Sequence, residues 1–249
     1  MTEQDRQRAI RLRLARMGPP PAVAVIPTGF AALDAALGTG GFPRGRVVEL
    51  FGASSTGKTT LALQVIAHSQ SAGLTAAWID AEHAFDPPYA ATLGVSIDRL
   101  PVAKPESAEQ ALEILRQLAA SQAVDLVVVD SAAALIPRLE LETALGESGA
   151  GLQSRVLASG LRSVAGIVAR TGTVVVFLNQ LRSRPEASRE ESETTAGGAA
   201  LKLYAAVRIS LERRAAGRVR FRVLKNKAAA AFGGGDLHYG PGPGFVKSP

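Results

Sequence analysis

Nine consecutive residues carry the most readily read chemistry of this chain. Gly52-Ala53-Ser54-Ser55-Thr56-Gly57-Lys58-Thr59, with Thr60 behind them, match the pattern G-x-x-x-x-G-K-[ST]. The two glycines let the backbone wrap an anion closely, with successive N–H groups pointing inward. Lys58 then sets a point charge on β- and γ-phosphates, and the Thr59 hydroxyl is placed to ligate Mg²⁺. Motors, switches and small kinases all use such a cradle, so the motif alone leaves the use of the phosphate open. Asp130 closes the apolar run 126–129. A carboxylate at the carboxyl end of a parallel strand is the expected metal-side partner of the cradle.

Hydrolysis also needs a group that positions or deprotonates water. Asp80, Glu82, His83 and Asp86 cluster just beyond the run Trp78-Ile79. Residue types alone do not separate Glu82 from Asp80 as that group. Asn179-Gln180 follow a further apolar run. An amide there can touch a γ-phosphate and report it to the loop that follows.

These groups need a scaffold that delivers strand ends to one place. Residues 47–51, 75–80, 126–130 and 173–178 read as buried strands. Helical patterns lie between them, at about 58–71, 108–121 and 152–169, the second with the stripe Leu112, Leu115 and Leu118. Strands with continuous apolar runs, alternating with helices, predict an α/β fold: a mostly parallel, twisted sheet with helices on both faces. Segments 207–211 and 219–224 flank Ala215-Ala216-Gly217 and predict a C-terminal β-hairpin extending the sheet. Residues 3–17 predict a basic helix, closed by Gly18-Pro19-Pro20-Pro21. Residues 1–25 therefore read as an arm, a possible oligomerisation element, and 26–249 as the core.

The chain has 249 residues, 47% of them hydrophobic, enough for one large core. It has no cysteine, so neither a disulfide framework nor a zinc-thiolate site is expected. No apolar run is long enough for a membrane span, and the Arg-rich start lacks the apolar stretch of a secretory signal. A cytoplasmic protein is expected. The net charge of +6 is uneven: residues 1–181 carry 15 Lys/Arg against 16 Asp/Glu, whereas 182–227 carry 12 against 5. A basic segment in a balanced chain suggests a polyanionic partner.

"IPTGFAALDAALGTGGFPRGRVVELFG", "IDAEHAFDPPYA", "VVVDS", "FLNQ", "ETTAGGAALKLYA" and "LKNK" occur in this order along the chain. Together they resemble the bacterial RecA recombinase family over more than four fifths of the sequence. The resemblance implies a RecA-like P-loop NTPase core that uses ATP and Mg²⁺ and forms a helical filament on single-stranded DNA. It implies a DNA-dependent ATPase serving homologous pairing with duplex DNA in repair. It also implies roles for single residues. Glu82 becomes the glutamate that activates water. Asp86 and Tyr89 hold the adenine. Gln180 senses the γ-phosphate. Lys225 and Lys227 reach the ATP of a neighbouring subunit. Segments 140–151 and 181–195 become DNA-binding loops, with Arg155, Arg162, Arg182 and Arg184 near the DNA.

Some positions depart from the family pattern. Pro185 stands about where an aliphatic residue usually inserts between bases, and four glutamates share that loop with three arginines. Ala150 replaces a bulky apolar residue in the first loop, and Leu203 replaces an interface aromatic. The sequence stops soon after Gly244-Phe245, without the C-terminal domain of the family, and its N-terminal arm is shorter than usual. A second expectation is therefore an accessory, ImuA-like protein of damage-induced translesion synthesis, with a polymerase or repressor as partner. A small-molecule kinase is a third, disfavoured by the lysine pair after the hairpin.

Overall fold

The computed structural model describes residues 2–16, 23–143, 151–183, 193–215 and 217–246. The predicted arm is a helix, α1 (Glu3–Arg16). The core opens with β1 (Val25–Ile26), α2 (Ala31–Leu37) and β2 (Phe42–Pro43), then β3 (Val47–Gly52), which leads through the glycine-rich turn into α3 (Lys58–Ser71). There follow β4 (Ala76–Asp80), α4 (Pro87–Thr92), β5 (Val102–Ala103), α5 (Ala108–Ala120), β6 (Leu126–Asp130) and α6 (Arg138–Glu142). The remainder is α7 (Leu152–Thr171), β7 (Val174–Ser183), β8 (Glu193–Thr195), α8 (Ala199–Tyr204), β9 (Val207–Arg213), β10 (Arg218–Asn226) and β11 (Gly234–His238).

The main sheet has the order β11-β10-β9-β3-β7-β6-β4-β5. β3 lies parallel to both β7 and β9, and β6, β4 and β5 continue the parallel set. The fully apolar strands are buried on both faces for the reason their sequences suggest: alternate residues feed two cores. Val48, Leu50, Leu126 and Val128 join Leu61, Val65 and Ile66 of α3 on one face. Val47, Val127 and Val129 join Leu112 and Leu115 of α5 and Leu157 and Leu161 of α7 on the other. Two strands, β7 and β6, lie between β3 and β4, so α3 must cross the sheet. Such crossings leave a ligand crevice at the carboxyl ends of the strands.

The predicted hairpin is present, β9 pairing antiparallel with β10. Its strands are longer than the apolar pattern indicated, and β11, Gly-rich and without strand propensity, was not legible at all. β11 is held by its ladder to β10, from Arg218↔His238 to Arg222↔Gly234. Helices cover both faces of the parallel core, as expected. The hairpin is packed on one face only: Phe221, Val223 and Leu237 are buried, while Arg220, Arg222 and Glu212 on the other face are exposed. β7 runs five residues beyond its predicted end, because Leu181–Ser183 pair antiparallel with β8. The second predicted loop therefore stands on a two-stranded base. Residues 184–192, including Arg184 and Pro185, and residues 144–150 of the first loop lie outside the described residues. Among the described residues no helix is long and apolar enough to cross a membrane.

Phe221 fastens the hairpin to the core, being fully buried beneath Gly235 of β11. Phe221→Ala should cost about 3–5 kcal/mol, the usual range for emptying such a site. Chemical denaturation should show this as a lower midpoint with an unchanged slope.

Candidate functional site

The glycine-rich turn is shaped by what crowds it. A Cβ on Gly52 would run into the Leu211 carbonyl of β9. Gly57 sits at φ 84°, a left-handed conformation that side chains resist, directly under Tyr239 and Phe245. The Thr56 hydroxyl closes the turn on the Ala53 carbonyl at 2.9 Å. Lys58, at the first turn of α3, is nearly buried, and its Nζ donates to the carbonyls of Gly52 and Ala53 at 3.1 and 2.8 Å. Burial lowers the pKa of its ammonium, while the charges of Asp130 and Glu82 oppose the shift. The cation is thus anchored at the mouth of a loop whose backbone N–H groups, with the positive end of α3, favour phosphate.

Asp130 and Asp80 end neighbouring strands in register. The Thr59 hydroxyl donates to Asp130 Oδ2 at 2.9 Å. Burial first, and then the nearby charges of Glu82 and Asp80, push the Asp130 carboxyl up to about 6 against the Thr59 hydrogen bond and Lys58. The structure also separates the two candidates for the water-directing group. Asp80 is 1% exposed and accepts from the amides of Ala84 and Phe85 at 3.0 and 3.1 Å. Its carboxylate folds the loop after β4. Glu82 is exposed on that loop, where its Oε1 accepts from the Ser131 hydroxyl and from Gln180 Nε2, the latter at 3.3 Å. Lys58, Thr59, Asp130, Glu82 and Gln180 therefore meet at one crevice.

Asp86 caps α4 by accepting from the Tyr89 amide at 2.9 Å, which sets the Tyr89 ring beside the cradle. The Tyr89 and Thr60 hydroxyls lie 2.8 Å apart. A residue missed from the sequence joins them. Tyr239 stacks on Phe245 with ring centroids 4.3 Å apart and lies against Gly57. The Gln64 side chain holds the tail in place, accepting from the Phe245 amide and donating to its carbonyl at 2.8 and 2.9 Å. The available signal was an aromatic residue at either end of the Gly/Pro turn Gly240–Gly244.

The two predicted lysines are not in this crevice. Lys225 Nζ donates to the carbonyls of Lys202 and Leu203 at the end of α8, at 2.7 and 3.1 Å. The Lys227 amide bonds the Ala206 carbonyl, and the Ala206 amide bonds the Val47 carbonyl. Lys227 therefore sits near the amino end of β3, whereas the cradle starts at its carboxyl end. The two ends, Val47 and Gly52, are five residue steps apart, roughly 16 Å. Of the predicted DNA contacts, Arg155 is exposed one turn into α7, just past the first loop. Arg162 lies two turns further along, donating to the Tyr204 hydroxyl at 3.3 Å, toward the lysine end. The backbone of Arg182 pairs with Thr194 in the base of the second loop.

The raised Asp130 pKa fixes the sign of a pH effect. The folded state holds this proton more tightly than the unfolded chain, so its contribution to stability is present at low pH and lost as pH rises through about 6. A shift of that size is worth roughly 2–3 kcal/mol. Without nucleotide or Mg²⁺, Asp130→Asn should therefore raise the melting temperature at about pH 7.5 and leave it nearly unchanged at about pH 4. Calorimetry at the two pH values checks this.

The comparisons with known proteins point the same way as the geometry. The family model of the RecA N-terminal domain matches residues 8–243. Protein RecA of Salinispora arenicola is 46% identical over 263 residues, covering 96% of this chain and 76% of the relative. Protein RecA of Chloroflexus aurantiacus is 51% identical over 220 residues, 85% of this chain and 63% of the relative. Protein RecA of Clavibacter michiganensis is 51% identical over 231 residues, 88% of this chain and 64% of the relative. With the cradle, the paired strand-end carboxylates and these relatives, the chain belongs to the RecA recombinase family.

Proposed function

We propose that this chain hydrolyses ATP at the boundary between two copies of itself and uses the bound nucleotide to assemble on single-stranded DNA for pairing with a homologous duplex. One observation carries the reading: the chain keeps its lysine pair out of its own phosphate cradle, Lys227 beside the amino end of the central strand and Lys225 tied to the end of α8, while the cradle opens at the strand's carboxyl end. Two copies stacked head to tail bring one copy's cradle to the other's lysines. Such a heterologous contact repeats as an open helix.

Each residue of the crevice then has a task. The amides of Ser54 to Thr59 and the Lys58 ammonium bind the β- and γ-phosphates. Asp86, Tyr89 and Tyr239 enclose the base, with Thr60 holding the Tyr89 ring and Phe245 the Tyr239 ring. Glu82 orients the attacking water and takes its proton as the water oxygen bonds the γ-phosphorus and the bond to the β-phosphate oxygen breaks. Thr59 and Asp130 fit Mg²⁺: both present oxygen, and Asp130 is crowded by carboxylates whose repulsion a dication relieves. When bound, Mg²⁺ neutralises charge on the β- and γ-oxygens. Among the described residues no three acidic or His side chains form a cage by themselves, in keeping with an ion held largely by substrate phosphates.

Gln180 connects hydrolysis to DNA. Its amide now donates to Glu82, and a γ-phosphate oxygen would compete for it. Since β7 continues from Gln180 into the base of the second loop, that exchange is felt there. Arg155, Arg182 and Arg184 supply cations for the phosphate backbone, a sequence-independent and salt-sensitive attraction. Lys225 and Lys227 face the next copy's nucleotide and stabilise charge on the transferring phosphoryl group after assembly. The basic helix α1 and its proline linker serve as an arm toward a neighbour. An accessory role beside a translesion polymerase is not favoured, because the cradle is complete and the relatives are named RecA.

The shared site has a direct test. Glu82→Gln and Lys225→Ala should each lower DNA-stimulated turnover by about 100-fold or more. A 1:1 mixture should recover up to about one quarter of wild-type activity, because random stacking pairs an intact cradle with intact lysines at one contact in four. No recovery, with filaments visible by electron microscopy, would place both groups in one subunit's site. Separately, Arg155→Ala should weaken binding to every single-stranded sequence alike and flatten the slope of log K against log salt by about 0.7.

A further inference from the structure

Beneath the crevice lies a buried carboxylate that none of these tasks uses. Glu49, midway along β3, is 0% exposed. The sheet register places it between Phe177 of β7 and Arg208 of β9, and Arg208 faces Lys225 of β10. One oxygen of Glu49 accepts from Asn179 Nδ2 at 2.8 Å, and the other accepts from Arg208 Nε.

The two partners lie on opposite sides of β3. Asn179, also fully buried, donates to the Ala196 carbonyl at 3.1 Å, and its Oδ1 accepts from the Gln180 amide at 2.8 Å. The Ala196 amide returns to the Gln180 carbonyl. Asn179 thus fastens the phosphate-sensing residue to the strand on which the second loop comes back. On the other side the Arg208 guanidinium lies 4.7 Å from the centre of the Phe51 ring, beside Lys225. The charge of Glu49 is the one counterweight felt by Lys225 against burial, Lys227 and Arg208.

Stability does not call for this arrangement. A buried ion pair is commonly no better than well-packed apolar residues of similar volume. What an apolar pair cannot do is fix Asn179 and Arg208 together through one group. We propose that Glu49 is a positioning residue for the ATPase cycle, joining the γ-phosphate sensor and the second-loop base to the hairpin that carries Lys225. The proposal rests on the shared-site reading given above. In it, loss of γ-phosphate frees Gln180, shifts Asn179, and through Glu49 and Arg208 alters the setting of Lys225 toward the neighbouring copy.

The test uses the full chain. Glu49→Gln keeps an acceptor for Asn179 but loses the charge that balances Arg208. The double variant Glu49→Leu/Arg208→Met replaces the ion pair with apolar groups of similar size. Its melting temperature should equal or exceed that of the wild type. Its Gln180 and Ala196 amides should exchange hydrogen at least about tenfold faster, with those of Val127–Val129 unchanged. Its DNA-stimulated kcat should fall about tenfold or more with KM for ATP little changed, since the link acts between sites rather than at phosphate. A merely structural Glu49 predicts the reverse: a well-folded double variant with wild-type exchange and wild-type turnover. Unchanged exchange at Gln180 and Ala196 overturns the proposal whatever the turnover. If the wild type itself shows no DNA-stimulated turnover, the shared-site reading fails and the exchange measurement still decides whether Glu49 holds the link.

Discussion

The direction of β3 governs the rest of the molecule. A parallel strand has a carboxyl end where the chain leaves for a helix and an amino end where it arrives from one. Only the first offers inward-pointing amides and a helix N-terminus to an anion. The cradle must therefore form beyond Gly52. The return of β10 past β9 carries Lys225 and Lys227 toward Val47. No side-chain rotation closes a gap of roughly 16 Å along a rigid strand. A cation pair placed this way is out of reach of its own chain's cradle, and the proposed stacked neighbour is what gives it a nucleotide to face.

Electrostatics inside the crevice reinforces that dependence. Three carboxylates approach one another at the ends of β4 and β6, and the crowding, on top of burial, is what lifts Asp130. Lys58 only partly offsets it and is itself partly desolvated. The crevice holds more negative charge than its own cation balances, before any phosphate is considered. In the proposed assembly, cations from Mg²⁺ and a second subunit would supply the missing positive charge, and bound nucleotide would then favour the assembled state.

Most of the fold was legible because its signals are physical and local. Runs such as Leu126–Val129 are too apolar for a half-exposed strand, and the glycine spacing before Lys58 admits few other readings. The failures have equally specific causes. β11 is rich in glycine and exists through pairing with β10. The extension of β7 depends on β8, a partner beyond the intervening loop. Asp80 and Glu82 could not be told apart from spacing, because the difference lies in two backbone amides, at Ala84 and Phe85, that turn back on Asp80. Tyr239 escaped notice since 181 residues lie between it and Gly57, the glycine it covers.

Leu203 shows where the buried network gains weight. The family pattern places an aromatic residue here at the subunit face, and this chain presents a leucine that is 65% exposed. A leucine can bury apolar area against a neighbour but has no ring face or flat edge to fix an orientation. Its own carbonyl, however, receives the Lys225 ammonium. The end of α8, Lys225, Arg208 and Glu49 thus run in one series from the exposed surface at Leu203 to the sheet interior. With less specificity in the surface side chain, the orientation of that face depends more on the interior. A carboxylate with two charged or dipolar partners in fixed directions is suited to set it.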